Sequence, residues 1–259
     1  LGDGESMPLK RDTNRLIFGG TMLQVRNERG TLVYSRIKSK EASEKIVYNT
    51  LTVPVRERFQ LVLADGTKVF LNSGSEMRYP ERFGKARREV FLKGEAWFEV
   101  AKDSAREFWV HAGAMDVKVL GTSFNVKAYE RLETVATTLV EGSVEVACAG
   151  KSFQIVPGEQ FVYDKNNRVM DVRMVDTESY VSWKDGYYEF EEMELGELMP
   201  LLGRWYAVGV DFEEPELKRL KFSGRLQRYE TVADLVKMLE YTGDVVFEVK
   251  NDRILVRKR

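Results

Sequence analysis

Apolar residues along this chain recur mostly at every second position. From Arg15 to Ile37 two apolar-rich runs, RLIFGGTMLQV and TLVYSRI, flank the turn-forming group NERG at 27–30, which predicts a β-hairpin. The charged, small-residue segment 39–44 reads as a connector, and 47–55 as the next extended run. Residues 59–72, FQLVLADGTKVFLN, place Leu61 and Leu63 on one face, reverse at Asp65-Gly66 and return through Val69 and Leu71. Asp-Gly between alternating apolar residues is a hairpin signal, because both central positions of the tight turn need positive φ. Alternation recurs at Val90 and Leu92, Phe108 and Val110, Val117 and Val119, and from Leu139 through Val146. Between these runs lie Gly94, Gly121, Glu141-Gly142, Gly150, Pro157-Gly158 and Asn166-Asn167. Short strands punctuated by turns, with no helix between them, predict an antiparallel sandwich, a barrel or a β-solenoid.

After Arg168 the pattern changes. The polar stretch 171–180 reads as a linker, and 187–190 as a short strand. Leu195, Leu198, Leu202 and Trp205 follow at helical spacing. Pro200 lies inside that helix, where it removes a backbone donor and is expected to bend it. Segments 208–212 and 220–222 look extended. Thr231, with Asp234 three residues on, makes a capping-box start for a second helix carrying Val232, Leu235 and Leu239, and Gly243 is its expected C-terminal cap. Val245, Phe247 and Val249 alternate up to a turn at Asn251-Asp252, and Ile254 and Val256 alternate back. The order β-α-β-β-α-β-β predicts a small two-layer α+β domain of about 70 residues. The chain as a whole is therefore expected to be mainly β. It comprises an N-terminal extension with a hairpin (1–46), a β domain (47–170), a linker (171–182) and a C-terminal α+β domain (183–259).

Composition narrows the function classes. Hydrophobic residues make up 43% of the chain, enough for packed cores, so global disorder is excluded. The 40 Lys+Arg are matched by 41 Asp+Glu and scattered, which argues against nucleic acid or an anionic membrane surface as partner. Cys148 is the single cysteine, so neither an intrachain disulfide nor a thiolate cluster can form. No apolar run reaches the roughly 20 residues that span a bilayer. Because the sequence opens at Leu1 and not at Met, the expectation is that an upstream anchoring segment has been cut away.

Candidate chemistry is sparse. His111 is the only histidine, which leaves no histidine-based zinc site and favours a structural or solvated ring. Glu95, Glu99, Glu141 and Glu145 could supply a glycosidase carboxylate pair, but a solvated sheet face is the favoured reading. Trp97, Trp109, Trp183 and Trp205 could stack on sugars, with core packing the favoured alternative. The glycines in GEA, LGT and PGE follow no phosphate-binding spacing. No catalytic, cofactor or metal residue is assigned. The last hairpin carries the one functional hypothesis, namely that Val245, Phe247, Val249, Ile254 and Val256 form an edge on which a partner strand adds through backbone hydrogen bonds. Arg253, Arg257, Lys258 and Arg259 read as guard charges of that edge.

Four ordered motifs carry a family resemblance. VPVRERFQLVLADGTKVFLNSGS (53–75), Tyr79-Pro80, RREVFLKGEAWFEVAK (87–102) and VLGTSFNVKAY (119–129) closely resemble the FecR domain. TLVEGSVEV (138–146) and VPGEQ (156–160) extend the match. WKDGYYEF and LLGRWY resemble the C-terminal domain that follows FecR in proteins of gut-type Gram-negative anaerobes, and its element order is similar to that of the short secretin and TonB signalling module. The chain departs from the family at 55–58, where VRER replaces the usual Arg-Gly-Glu or Arg-Gly-Gly, and at Pro200, where a helix former is usual. The resemblance implies a non-enzymatic, cofactor-free periplasmic part of a single-pass inner-membrane anti-sigma factor. That part would receive a signal from the N-terminal signalling domain of an outer-membrane TonB-dependent transducer, often one importing glycans or iron complexes. It would reach an extracytoplasmic-function sigma factor only through a missing cytoplasmic domain, and the membrane only through a missing transmembrane helix. The alternative left by the residues themselves is a non-catalytic carbohydrate-binding β protein using exposed tryptophans, with a hydrolase third.

Overall fold

The computed structural model describes residues 15–19, 23–28, 31–36, 46–227, 231–242 and 245–259. The expected connector at 39–44, the tip of the first hairpin and the cap at Gly243 lie outside these residues. The chain divides into two compact units. Unit 1 is Leu1–Val53 with Arg58–Thr177, and unit 2 is Pro54–Glu57 with Glu178–Arg259.

Among the described residues, unit 1 contains sixteen strands. The first eight are β1 (Arg15–Gly19), β2 (Leu23–Glu28), β3 (Thr31–Arg36), β4 (Tyr48–Thr52), β5 (Phe59–Val62), β6 (Lys68–Leu71), β7 (Glu76–Pro80) and β8 (Arg88–Glu99). The rest are β9 (Phe108–Ala112), β10 (Met115–Val119), β11 (Ser123–Ala128), β12 (Thr134–Glu141), β13 (Val144–Cys148), β14 (Lys151–Ile155), β15 (Glu159–Asp164) and β16 (Val169–Met174). One sheet runs β1-β2-β3-β5-β6-β8-β11-β12-β15-β16, and a second runs β4-β7-β8-β9-β10-β13-β14. The predicted alternation fills the core between them, where Leu61, Val69, Val90, Phe98, Val110, Val117, Phe124, Val144 and Phe161 are fully buried. In place of the single expected hairpin, the described residues at the N-terminus form three strands, with β1 and β3 both antiparallel to β2. β16 falls where the linker was expected. Only β15 pairs with it among the described residues, so its side chains are half-buried or exposed, with Met170 and Val172 packed against the core.

β8 belongs to both sheets. Its first half pairs with β7 and β9, and its second half with β6 and β11. The changeover is at Gly94, whose φ is +105° and whose place for a Cβ lies 2.7 Å from Ser75 Cα. A strand that switches sheets needs such a bend, and a glycine supplies it where another backbone approaches closely. The Glu95 N–H donates to Ser75 Oγ (2.8 Å), and Ser75 Oγ–H donates to the Glu95 carbonyl (3.0 Å). The Glu95 carboxylate, 3% exposed, accepts from Asn72 Nδ2 (2.8 Å) and Asn125 Nδ2 (3.1 Å), so the corner has a hydrogen-bonded polar centre.

The shared strand also explains a parallel pairing in a fold expected to be antiparallel. The chain leaves β8 in the first sheet and must travel back along it to enter the second, so β9 runs parallel to β8. Arg88 fastens that return. Its side chain is 0% exposed and its five N–H donors meet five acceptor contacts. These are Asp65 Oδ2 (2.8 Å), the Ala101 carbonyl (2.8 Å), the Arg106 carbonyl twice (3.2 and 2.9 Å) and the Leu120 carbonyl (3.5 Å). Removing one partner of a buried pair typically costs about 3–5 kcal/mol, because the other charge is stranded.

Unit 2 contains α1 (Glu178–Val181), β17 (Tyr187–Glu194), α2 (Leu195–Tyr206), β18 (Gly209–Phe212), β19 (Lys221–Gln227), α3 (Val232–Thr242), β20 (Val245–Lys250) and β21 (Arg253–Lys258). From β17 onward this is the predicted element order. In place of one sheet under two helices there are two sheets, β17-β19 and β18-β21-β20, and each long helix packs on a strand of both. The reason is legible on α2, where Leu195, Leu198, Met199, Leu201, Leu202 and Trp205 are buried. At 100° per residue these span about 160° of the helix, wide enough to cover two sheets. Helix α2 continues across Pro200, which forgoes only the bond to the Gly196 carbonyl. Arg56 takes the left-handed conformation (φ 68°) where the family pattern places glycine. Its N–H donates to the Arg204 carbonyl (3.1 Å) and its Nε–H to the Tyr206 carbonyl (2.7 Å), satisfying carbonyls at the end of α2.

Gly94→Ala is expected to destabilise unit 1 by more than about 3 kcal/mol, since a left-handed strain of roughly 1–2 kcal/mol is compounded by the collision with Ser75. Gly66→Ala, with φ +89° but open space around it, should lose only the strain term. Urea unfolding of the two variants checks this, and equal shifts would show that the corner is not tightly packed.

Candidate functional site

The structure disperses most of the candidate chemistry. His111 Nδ1 lies 2.7 Å from Asp116 Oδ1 and its ring stacks on Phe91 at 4.9 Å, within a ladder of side chains across the second sheet. Glu95 is buried, Glu99 accepts from Trp97 Nε1 (3.3 Å), and Glu145 pairs with Lys118 (2.5 Å). Glu99 and Glu141 both lie opposite Ser123, on the two sides of β11, about 10 Å apart by strand spacing. Trp97, Trp183 and Trp205 are buried, which removes three of the four tryptophans from any sugar platform. Trp109 is half-buried and donates to Glu107 (3.0 Å). A cavity of about 570 Å³ in unit 1 is lined by Arg78, Phe91, Lys93, His111 and Lys165 among others. Its charges are already engaged, Lys93 with Glu130 (3.1 Å) and Lys165 with the Glu130 carbonyl (3.1 Å). Among the described residues no group of three His, Cys, Asp or Glu is placed to hold a metal.

The last hairpin forms as expected, but its two strands have different surroundings. β21 is the middle strand, parallel to β18 and antiparallel to β20. Its expected guard charges therefore tie it to its neighbours. Arg253 is bidentate to Asp211 (2.7 and 2.5 Å), and Arg257 reaches Glu213 (3.4 Å) and Glu248 (3.1 Å). Among the described residues, the side of the hairpin that no strand pairs with belongs to β20. Of the five candidate docking residues, Val245, Phe247, Ile254 and Val256 are buried under the helices, and Val249 is 45% exposed. The hairpin can thus offer a partner its backbone and Val249, and not an apolar side-chain row.

The direction of the β20 backbone groups follows from the far side of the sheet. The Asp252 and Val256 carbonyls accept from Gly209 N (2.8 Å) and Glu213 N (2.9 Å), so residues 252, 254 and 256 turn their backbone groups towards β18. Residues 253, 255 and 257 then face β20, opposite Lys250, Glu248 and Val246. Val245, Phe247 and Val249 are consequently left pointing outward. One of these groups already has an acceptor, because the Phe247 N–H donates to Glu240 Oε1 at 2.8 Å. Glu240 reaches it from the last turn of α3, which packs on β20. Nothing in the local sequence marks Glu240. Its role follows from a contact seven residues apart across a turn.

α3 is held in register by the predicted capping box. Thr231 Oγ accepts from the Asp234 N–H (3.2 Å), and the Asp234 carboxylate accepts from the Thr231 hydroxyl (2.6 Å) and N–H (3.4 Å). These bonds, the hydroxyl's first, hold the Asp234 carboxyl below the usual aspartate range.

Residues 49–145 match the family described as FecR protein, and residues 187–256 match FecR, C-terminal. Two crystal structures of a candidate anti-sigma factor from Parabacteroides distasonis ATCC 8503, at 1.65 and 2.50 Å, resemble the chain with TM-scores of 0.77 and 0.76. Both are 29% identical to it, and the matches cover 82% of this chain and 99% and 100% of theirs. Among proteins of curated function, none matches.

Thr231→Ala is expected to lower the thermal midpoint of unit 2 by roughly 5 °C near neutral pH, through loss of the cap. A carboxyl lowered in the folded state stabilises above its ordinary value and loses that contribution as pH falls through the folded value. The wild-type advantage over Thr231→Ala should therefore shrink below about pH 4. Melting curves of both chains from pH 7 to 3 check this; a constant gap would assign the cap to the hydroxyl alone.

Proposed function

This chain belongs to the FecR family of anti-sigma regulators, and from that premise we propose that it is the periplasmic sensing and relay part of a membrane anti-sigma factor. In this reading unit 2 receives the N-terminal signalling domain of an outer-membrane TonB-dependent transducer, and unit 1 is the FecR domain of the relay. The sigma factor is reached through a cytoplasmic domain, and the membrane through a spanning helix, both outside this sequence. Among the described residues no helix is long and apolar enough to cross a membrane.

The observation that carries the docking assignment is the outward row of backbone groups on β20. An open edge is a ready template for strand addition, with affinity from main-chain bonds and selectivity from adjacent side chains. The carbohydrate-binding alternative lacks a comparable support, because three of its four tryptophans are buried. A glycan array separates the two readings, since a relay module should retain no sugar.

Removing residues 252–259 would be a poor test, because it deletes the buried Ile254 and Val256. Val249→Pro is better placed. The Val249 N–H points outward, so proline removes a docking donor without losing a bond to β21. Calorimetric titration with the transducer's signalling domain should show affinity reduced at least about tenfold, as expected for about 1.4 kcal/mol of lost edge pairing. The thermal midpoint should stay within a few degrees. Unchanged affinity would remove β20 as the docking edge.

A further inference from the structure

The edge that would take a partner strand is not bare. Glu240 Oε1 sits 2.8 Å from the Phe247 amide, in the place where an incoming strand's carbonyl would accept. Phe247 is the middle of the three outward positions, and β20 reads VVFEVK, with Lys250 its one basic residue. Such an edge has little in-strand charge to prevent unwanted pairing. The Glu240 side chain is half-buried, comes from a packed helix, and accepts with a full negative charge, which makes a stronger bond than a neutral carbonyl would.

Resting on the docking assignment above, we propose that Glu240 is a latch on the β20 edge that selects the partner strand. A strand that adds across Phe247 must displace the carboxylate, and the released charge then faces the newcomer. A partner carrying Lys or Arg opposite Phe247 compensates that charge. A neutral or acidic strand leaves the carboxylate beside its own carbonyls and is disfavoured. The Arg259 guanidinium donates to the Glu240 backbone carbonyl at 3.0 Å, which helps hold this end of the helix against the sheet. The latch thus makes an open edge compatible with a long-lived unpaired state and confines pairing to basic extended segments.

The test uses the full chain and the variants Glu240→Gln, Glu240→Ala, Val249→Pro and the Glu240→Ala/Val249→Pro double. In the free chain, hydrogen exchange at the Phe247 amide should quicken about tenfold in Glu240→Ala and less in Glu240→Gln, which keeps a neutral acceptor. No change there overturns the latch without reference to any partner. Titrated with two extended peptides that differ only in carrying Lys or Ala opposite Phe247, the full chain should prefer the Lys peptide about three- to tenfold and Glu240→Ala should bind the two alike; with the transducer signalling domain the double variant should bind as weakly as Val249→Pro. If Val249→Pro weakens binding while Glu240→Ala keeps the same preference for the Lys peptide as the wild type, the latch falls and the docking edge stands. If Val249→Pro has no effect, the docking edge falls and takes the latch with it.

Discussion

One strand has to serve two sheets, and the architecture of unit 1 follows from that requirement. β8 can pair on both sides in both sheets because it bends at Gly94, where the left-handed backbone and the contact with Ser75 admit no side chain. The bend brings polar backbone into the interior. Glu95, Asn72, Asn125 and Ser75 meet one another there, so the corner is buried without stranding its hydrogen-bonding groups. Arg88 plays the matching part at the other end of the strand. The loop that must double back along β8 is held by a guanidinium whose donors are all engaged. A buried charge is tolerable in that setting and in few others.

Unit 2 solves a different problem. Its helices lie against two small sheets, so most apolar side chains of the last hairpin are consumed by the core. What remains for recognition is main chain, together with Val249 and the 90% exposed Tyr241 beside Glu240. In the proposed relay role such a surface has to stay available while unoccupied. A carboxylate delivered from a helix meets that need, because it satisfies the central donor without occupying the edge permanently.

Much of this was legible in the chain. The reversal at Asp65-Gly66, in which only Gly66 of the two takes positive φ, the alternation through Val117 and Val146, the capping box at Thr231 and the element order from Tyr187 are local, and local rules recover them. The left-handed Arg56 could be suspected because it stands where the family pattern has glycine. Arg88 could not be recognised as buried, since an arginine beside another arginine in a charged motif reads as surface. β16 was taken for linker from residue 171 on because the polar stretch that follows Met174 hides the short alternation of Met170, Val172 and Met174. The guard charges of β21 were misplaced because sequence order does not say that the last strand inserts between two earlier ones.

By itself the sequence determined the periodicities, most of the turns and the family, because these depend on residue types within a few positions of each other. Tertiary structure alone decided that β8 is shared, that four of the five proposed docking side chains are core, and that Glu240, from a helix, accepts from the central outward amide of β20. Those outcomes depend on which backbone groups are left over after every pairing has been made, and that remainder is a property of the whole sheet.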